Sequence, residues 1–372
     1  EGVTSGQELN KGVKQYQVIN SKKLFSKWQG FLKERPPNGV DVDKAKDRAN
    51  KYRVLFIDQN TPTPDQDAGS VDAYNQMIIL REMGFQVTFV PAYIHYVQKY
   101  TRQLQRVGIE AIYLPYTTSL KDHLLEYGKR YDLVFISRVN TFQSYINEVK
   151  EYCPQAKVLF HTVDLHFLRG ERQAKFAKSK KLLEEAIEVK KMEILSIKQS
   201  DVSTVISPEE LVIVSKLLPS HNVQLMPLSR TIVGSKASFD SRKDIFFMGG
   251  FSHQPNLDAV KYFVSEIMPL LRKEISGIKF YIAGSNIPQE IIDLSSDDIC
   301  ILGFIEKIQP IMDRMKISVA PLRYGAGIKG KVGASMASGL PVVLTKLAAE
   351  GFNATHKKHF LIADTPEEFC EQ

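Results

Sequence analysis

The chain has 372 residues, 43% hydrophobic and 24% charged, an ordinary globular balance and a length that suits two domains. Its 49 basic and 42 acidic residues give a net charge of +7, a mild excess that suits an anionic ligand or membrane surface but contains no basic block of the kind that binds nucleic acid. Three scattered cysteines, Cys153, Cys300 and Cys370, support neither a disulfide framework nor a zinc site, and no apolar run reaches the ~18–20 residues of a membrane span, so the expected compartment is a reducing cytoplasm.

Residues 1–50 are polar and irregular apart from an amphipathic segment at 22–33, and read as a tail and linker. From Tyr52, short apolar runs alternate with helix-length stretches. The predicted strands are 53–58, 86–91, 111–114, 132–137, 157–161 and 202–206. The predicted helices between them are 70–83, 93–107, 120–127, 142–151 and one long helix over 169–199. Ser207-Pro208-Glu209-Glu210 has the pattern of a capping box with proline at the first helical position. Residues 227–243 lack periodicity and are taken as an interdomain linker. Alternation then restarts, with strands at 245–248, 279–283, 299–302, 317–321 and 341–344 and helices at 256–273, 288–294, 306–315 and 331–338. Strand–helix alternation with apolar, β-branched strands predicts parallel sheets covered on both faces. The expected domains are 51–226 and 244–372, with a cleft between them. The chain starts without Met and stops inside the helix opened by Thr365-Pro366-Glu367-Glu368, so it is expected to be a fragment of a longer protein, incomplete at its C-terminal end.

The densest chemistry lies in Arg323-Tyr324-Gly325-Ala326-Gly327-Ile328-Lys329-Gly330-Lys331, between two apolar runs. The glycines permit positive φ and close backbone approach, the following helix starts with unpaired N–H groups, and three cations stand among them. This is the composition of a phosphate site. If both lysines were helical they would lie about 200° apart, so both reach one anion only if Lys329 is still in the loop. A P-loop NTPase fits GxxxxGK, but Val332 stands where a Mg²⁺-holding hydroxyl belongs. A plain glycine-rich turn with surface lysines is the structural alternative. A nicotinamide oxidoreductase would need GxGxxG after a first strand, which neither 58–69 nor 248–251 supplies.

The second half of the chain resembles the nucleotide-binding half of retaining, GT-B-fold, group 1 (family 4 type) glycosyltransferases. The residues that carry the likeness are Ala320-Pro321-Leu322, Gly325, Gly327, Lys329 and Lys331, then Met336-Ala337-Ser338-Gly339-Leu340-Pro341, Ala349-Glu350-Gly351 and Phe247-Met248-Gly249-Gly250-Phe251. The first domain is similar to the same family through Asp58, Pro62 to Ser70, and His161 to Arg169. Residues 1–35 resemble the tail of a family-2-type (GT-A) glycosyltransferase, which implies a tandem glycosyltransferase in the same chain.

The resemblance implies two Rossmann-like α/β/α domains facing a cleft, a nucleoside-diphosphate-sugar donor and a glycan or lipid-linked acceptor in surface polysaccharide assembly. It implies no cofactor and no metal. Lys329 and Lys331 would neutralise the leaving diphosphate, with Arg323 assisting and Gly325 and Gly327 shaping the loop. Gly249 and Gly250 would let the protein backbone approach the phosphate or nucleotide from the other side of the cleft, and Glu350 would serve the nucleotide. His161 and Asp164 are the candidate catalytic residues of the first domain, with His166 on the same loop and Gly69 and Ser70 lining the cleft. Asp65 and Asp67 read as turn and helix-start residues rather than a metal pair. The chain departs from the family where paired glutamates fall on Ala326 and Ala334, and where an Arg and a Lys fall on Gly250 and Asn256, so the alternative expectation is a catalytically silent GT-B module that binds nucleotide or glycan within a larger multidomain glycosyltransferase. The lysines of 169–199 suggest peripheral contact with the inner face of a membrane.

Overall fold

The computed structural model describes residues 8, 11–33, 35, 37, 39–40, 42–325 and 327–372. It divides into a small unit ending at Lys51 and a larger one, Tyr52–Gln372. The small unit carries the helix Gln15–Lys33 and a short helix Val42–Lys46. Part of the stretch expected to resemble a preceding domain, residues 1–7, 9, 10 and 34, lies outside the described residues, as does Ala326. No helix among the described residues is long and apolar enough to cross a membrane.

The larger unit is built on two parallel sheets. The first contains β1 (Tyr52–Asp58), β2 (Phe85–Pro91), β3 (Glu110–Ala111), β4 (Leu133–Ser137), β5 (Lys157–His161), β6 (Val202–Val205) and β7 (Val223–Leu225), in the order β3-β2-β1-β4-β5-β6-β7. The second contains β8 (Lys243–Met248), β9 (Phe280–Ala283), β10 (Ile299–Gly303), β11 (Met315–Ala320), β12 (Val342–Leu344) and β13 (Leu361–Ile362), in the order β10-β9-β8-β11-β12-β13. In both sheets the chain starts in the middle, winds one way, then crosses back. The strand order therefore reverses between β1 and β4, and again between β8 and β11. Ligands of such sheets bind beyond the carboxyl ends of the strands at that reversal.

The continuous apolar runs follow from burial on two faces. Along β1, Val54 and Phe56 enter one core with Val87, Phe89 and Phe135, while Leu55 and Ile57 enter the opposite core with Val134 and Ile136. Phe56 stacks on Phe135 at 4.4 Å between ring centres. Each such side chain contributes about 1.5–3 kcal/mol by leaving water. The second sheet repeats the arrangement, with Ile245 and Phe247 on one face and Phe246 on the other.

Three elements differ from the sequence expectation for identifiable reasons. The stretch 169–199 is two helices, His166–Ala177 and Lys180–Gln199, because Lys178 adopts φ 50° and the Ser179 side chain caps a new start at Leu182 N–H. Gly170 lets Ala186 close against it, so the pair packs as a hairpin. The helix expected over 256–273 runs Gln254–Glu274, but widens into a π turn at Phe263–Ile267. Pro269 follows that turn and has no N–H to continue the regular pattern. At Ser207 the cap is half a box: the Ser207 side chain accepts from Glu210 N–H, while the Glu210 carboxylate turns inward to accept from Leu165 N–H at 3.2 Å and Ile206 N–H at 3.1 Å. The capping box at Thr365–Glu368 is complete.

Residues 227–243 are tied to both sides. Ser229 O accepts from Asn75 of the helix Ala68–Glu82 at 2.9 Å, and Gly234 N–H donates to Ala337 O at 2.9 Å. At the end of β9, Gly284 lies so close to the Gly249 carbonyl that a Cβ there would overlap it. Gly284→Ala is therefore expected to displace the 249–250 strap and cost about 1–3 kcal/mol. Urea unfolding checks this: a lower midpoint at unchanged slope is the expected result, and an unchanged midpoint would show that the strap tolerates a side chain there.

Candidate active site

The second sheet's reversal point brings together the loops after β8 and β11. Gly249 and Gly250 leave β8, and Pro321 to Ile328 leave β11 before the helix Gly330–Ala337. Gly325 and Gly327 take φ 142° and 67°, conformations that resist a side chain. Lys329 occupies the N-cap position with extended backbone, φ −82° and ψ 95°, and its side chain makes no cap hydrogen bond. Lys331 is one step inside the helix. The loop-versus-helix difference that two lysines facing one anion require is thus present.

Both ammonium groups are held in low-water surroundings. Lys329 is 7% exposed and donates to Gly327 O at 2.7 Å, with Glu350 Oε2 3.9 Å away. Burial lowers its pKa to about 8. Lys331 donates to Asn256 Oδ1 and lies 4.4 Å from the centre of the Phe247 ring. Burial, with the nearby charge of Lys329, lowers its pKa to about 7, although part of its surface opens on the cleft. Asn256 in turn donates to Gly250 O at 2.6 Å. A Cβ on Gly249 would stand 3.1 Å from the Lys331 ammonium and 2.8 Å from Asn256 Nδ2. Gly249 and Asn256 therefore make room for, and aim, a cation that arrives from the opposite loop.

The other expected residues fall into distinct places. Glu350 is gripped by Arg172 of the first domain, with NH2 to Oε1 at 2.7 Å, and the same guanidinium donates to Gly325 O at 2.9 Å. Burial opposes its ionisation, but Arg172, with Lys329 behind it, holds Glu350 below the usual glutamate range. Arg323 pairs with Asp258, Nε to Oδ2 at 2.9 Å, and lies over the Phe176 and Tyr262 rings. Ala334 lies on the helix Gly330–Ala337.

From the first domain, Asp164 pairs with His166 at 2.9 Å and Arg169 at 2.8 Å. These partners outweigh the effect of burial and set its pKa at about 2, so it is ionised. Gly327 packs against it: a Cβ there would stand 3.1 Å from Asp164 Cβ. His253 lies within reach of the same charges, and burial, then Arg169, lowers its pKa so that it is neutral at pH 7. His161 is 1% exposed, with Nδ1 2.8 Å from Thr204 Oγ1 and Nε2 between Gln76 at 3.1 Å and Asp72 at 3.2 Å. Both ring nitrogens are engaged beneath the cleft floor.

Gly69 and Ser70 open the helix Ala68–Glu82, whose N-cap Asp67 accepts from Ser70 N–H at 2.9 Å. Gly330 meets Ala68 so tightly that neither side leaves room for a Cβ on Gly330. Asp65 binds Lys99 at 2.6 Å and Tyr100 at 2.6 Å. Lys99 also binds Glu306 across the cleft at 2.7 Å. At the first sheet's reversal point, Arg138 at the end of β4 binds Asp58 at the end of β1, Nε to Oδ1 at 2.8 Å. Arg138 holds φ 72° to do so. Beside this pair lies a cavity of about 460 Å³ lined by Thr63, Ser70, Tyr93 and His95 among others. Arg138 was legible in principle, as a charged residue closing a strand at the reversal point. Arg172 and His253 carry no sequence signal that sets them apart.

Two buried lysines with lowered pKa values make anion binding pH-dependent. The native protein binds fewer protons than the unfolded chain between about pH 7 and 10.5, so their burial penalty is full below pH 7 and fades as pH rises toward 10.5. A bound diphosphate restores both charges. A nucleoside diphosphate is therefore expected to take up protons on binding at pH 8 and to bind more weakly as pH rises from 7 to 9. Calorimetry in two buffers of different ionisation enthalpy measures the uptake, and zero uptake would contradict the site. Lys331→Ala and Lys329→Ala are each expected to weaken binding roughly 10- to 100-fold, the loss of one charge-assisted contact.

Residues 242–372 match the family described as Glycosyl transferases group 1. A Klebsiella pneumoniae protein, described as an uncharacterized 44.6 kDa protein in the cps region, is 21% identical over 353 residues, covering 84% of this chain and 87% of its own length. The solved structure of TarM is 10% identical with a TM-score of 0.66, covering 87% of this chain and 91% of its own. Anabaena HepE, solved with UDP-glucose, is 12% identical with a TM-score of 0.60, covering 86% of this chain and 88% of its own. The pneumococcal O-GlcNAc transferase GtfA, solved with UDP and GlcNAc, is 9% identical with a TM-score of 0.59, covering 87% of this chain and 90% of its own. At such identities the structural likeness is one of fold, while the family match rests on the domain that holds the lysine loop. The larger unit therefore has the two-sheet fold of TarM, HepE and GtfA, and residues 242–372, which hold the lysine loop, match glycosyl transferases group 1.

Proposed function

We propose that the protein transfers a sugar, with retention, from a nucleoside-diphosphate sugar to a hydroxyl of a glycan or lipid-linked acceptor in surface polysaccharide assembly. The observation that carries this reading is the pair of buried, acid-poor ammonium groups of Lys329 and Lys331 at the start of a helix, where the second sheet reverses. As the sugar–phosphate bond breaks, its electron pair passes to the diphosphate oxygen. The two lysines and the first N–H groups of the helix meet that charge, and no resident metal ion is needed. The acceptor oxygen bonds to the anomeric carbon, and its proton passes to the departing diphosphate oxygen. The cavity beside Asp58 and Arg138 offers the acceptor a polar wall with Tyr93 and His95. Uridine diphosphate is the first nucleotide to test, because HepE and GtfA were solved with it. The polysaccharide context draws support from the relative in a cps region. The proposed place of action is the cytoplasm.

Release of nucleoside diphosphate from UDP-, GDP- and dTDP-sugars, with glycan acceptors and with or without EDTA, tests the reading. The expected result is EDTA-resistant release from one donor, falling by more than about 100-fold in Lys329→Ala/Lys331→Ala, with the anomeric configuration of the donor kept in the product. Release abolished by EDTA, or unaffected by the double substitution, would overturn it.

A further inference from the structure

The helix Gln15–Lys33 belongs to the small unit. None of its residues is buried. Over its second half, Leu24, Phe25, Trp28, Phe31 and Leu32 recur at the spacing of one helical face, about 120° of arc on a regular helix, across a bend at Trp28 (φ −110°, ψ 15°). All five are exposed, Leu24 and Phe25 at 59% and Trp28 at 46%. Lys22, Lys23 and Lys33 fall on the opposite arc, and Lys27 flanks the apolar arc, its ammonium 5.5 Å from the Trp28 ring centre. From residue 11 to residue 33 there are six lysines and no aspartate or glutamate.

That charge pattern separates this helix from the other lysine-rich surface of the chain. On the hairpin 166–199, Lys190 pairs with Glu171 at 3.0 Å and Lys191 with Glu188 at 2.7 Å, so its positive charge is met locally. Along residues 14–33, no ion pair among the described residues engages Lys14, Lys22, Lys23, Lys27 or Lys33. An apolar arc with aromatic residues, flanked by uncompensated lysines, matches the cross-section of a bilayer surface: acyl chains below, anionic headgroups beside. A protein partner would need a matching acidic rim. We propose that this helix docks the protein on an anionic lipid bilayer, lying in the interface with Leu24, Phe25, Trp28, Phe31 and Leu32 toward the acyl chains. The proposal is independent of the donor site, and a protein with full transferase activity in solution is compatible with it.

Trp28 is the only tryptophan in the chain, so its fluorescence reports this face alone. The chain is mixed with neutral phosphatidylcholine vesicles and with vesicles containing phosphatidylglycerol. The expected result is a blue shift and loss of iodide quenching with the anionic vesicles only, reversed by high salt. Phe25→Glu/Phe31→Glu, which keeps Trp28, and Lys22→Gln/Lys23→Gln/Lys33→Gln are each expected to weaken partitioning by at least about tenfold. No shift with anionic vesicles, or an equal shift with neutral ones, would overturn the proposal. So would a Trp28 already shielded from iodide without vesicles, which would mean that the chain or a second copy covers the face.

Discussion

The structure depends on holding two ammonium groups out of water without giving them a carboxylate of their own. Lys331 has only a side-chain amide oxygen and an aromatic face, and Lys329 has a backbone carbonyl with Glu350 at 3.9 Å. Pairing either lysine fully with an acid would satisfy it and abolish its pull on an incoming anion. Leaving it bare in a low-dielectric pocket is unfavourable, and the lowered pKa values express that. Neutral partners are the compromise: they orient the charge and leave it unneutralised. Glu350, the acid close enough to quench Lys329, is held instead by Arg172 from the other domain. A guanidinium therefore does two things there, since it also fixes the Gly325 carbonyl of the lysine loop.

That arrangement follows from topology. Reversal of strand order in each sheet leaves a gap at the carboxyl ends, and polar or charged residues close the two gaps: Asp58 and Arg138 in one, Lys331 with the neutral amide of Asn256 in the other. Close backbone approach supplies the rest. Gly284 admits the Gly249 carbonyl, Gly249 admits the Lys331 ammonium, and Gly330 admits Ala68 of the facing domain. The missing Arg and Lys after β8 are then less surprising. With Gly250 and Asn256 there, Lys331 of the neighbouring helix Gly330–Ala337 reaches Asn256 and brings a cation to the strap.

Much of this was legible in the sequence because strands buried on both faces read as unbroken apolar runs. β1, β4 and β5 coincide with their expected spans to within a residue, as do the helix at 120–127 and the lysine loop itself. What stayed hidden depends on tertiary context. β7 is three residues with two of them exposed, too short for a pattern. The break at Lys178 is a single left-handed residue inside a charged run. Glu210 reads as half of a capping box, yet its carboxylate serves Leu165 and Ile206, buried where its pKa rises to about 7. Arg172 looks like any surface arginine until the fold sets it against Glu350, and His161 reads as a cleft residue until Thr204, Gln76 and Asp72 close around its ring.

The central claim is positional: a nucleotide's diphosphate sits between the 249–250 strap and the lysine loop. A crystal structure of the chain with uridine diphosphate tests it most directly. The account predicts phosphate oxygens within hydrogen-bond distance of both Lys329 Nζ and Lys331 Nζ, against the first turn of the helix Gly330–Ala337. A diphosphate bound elsewhere, with the two lysines still on Gly327 and Asn256, would contradict it.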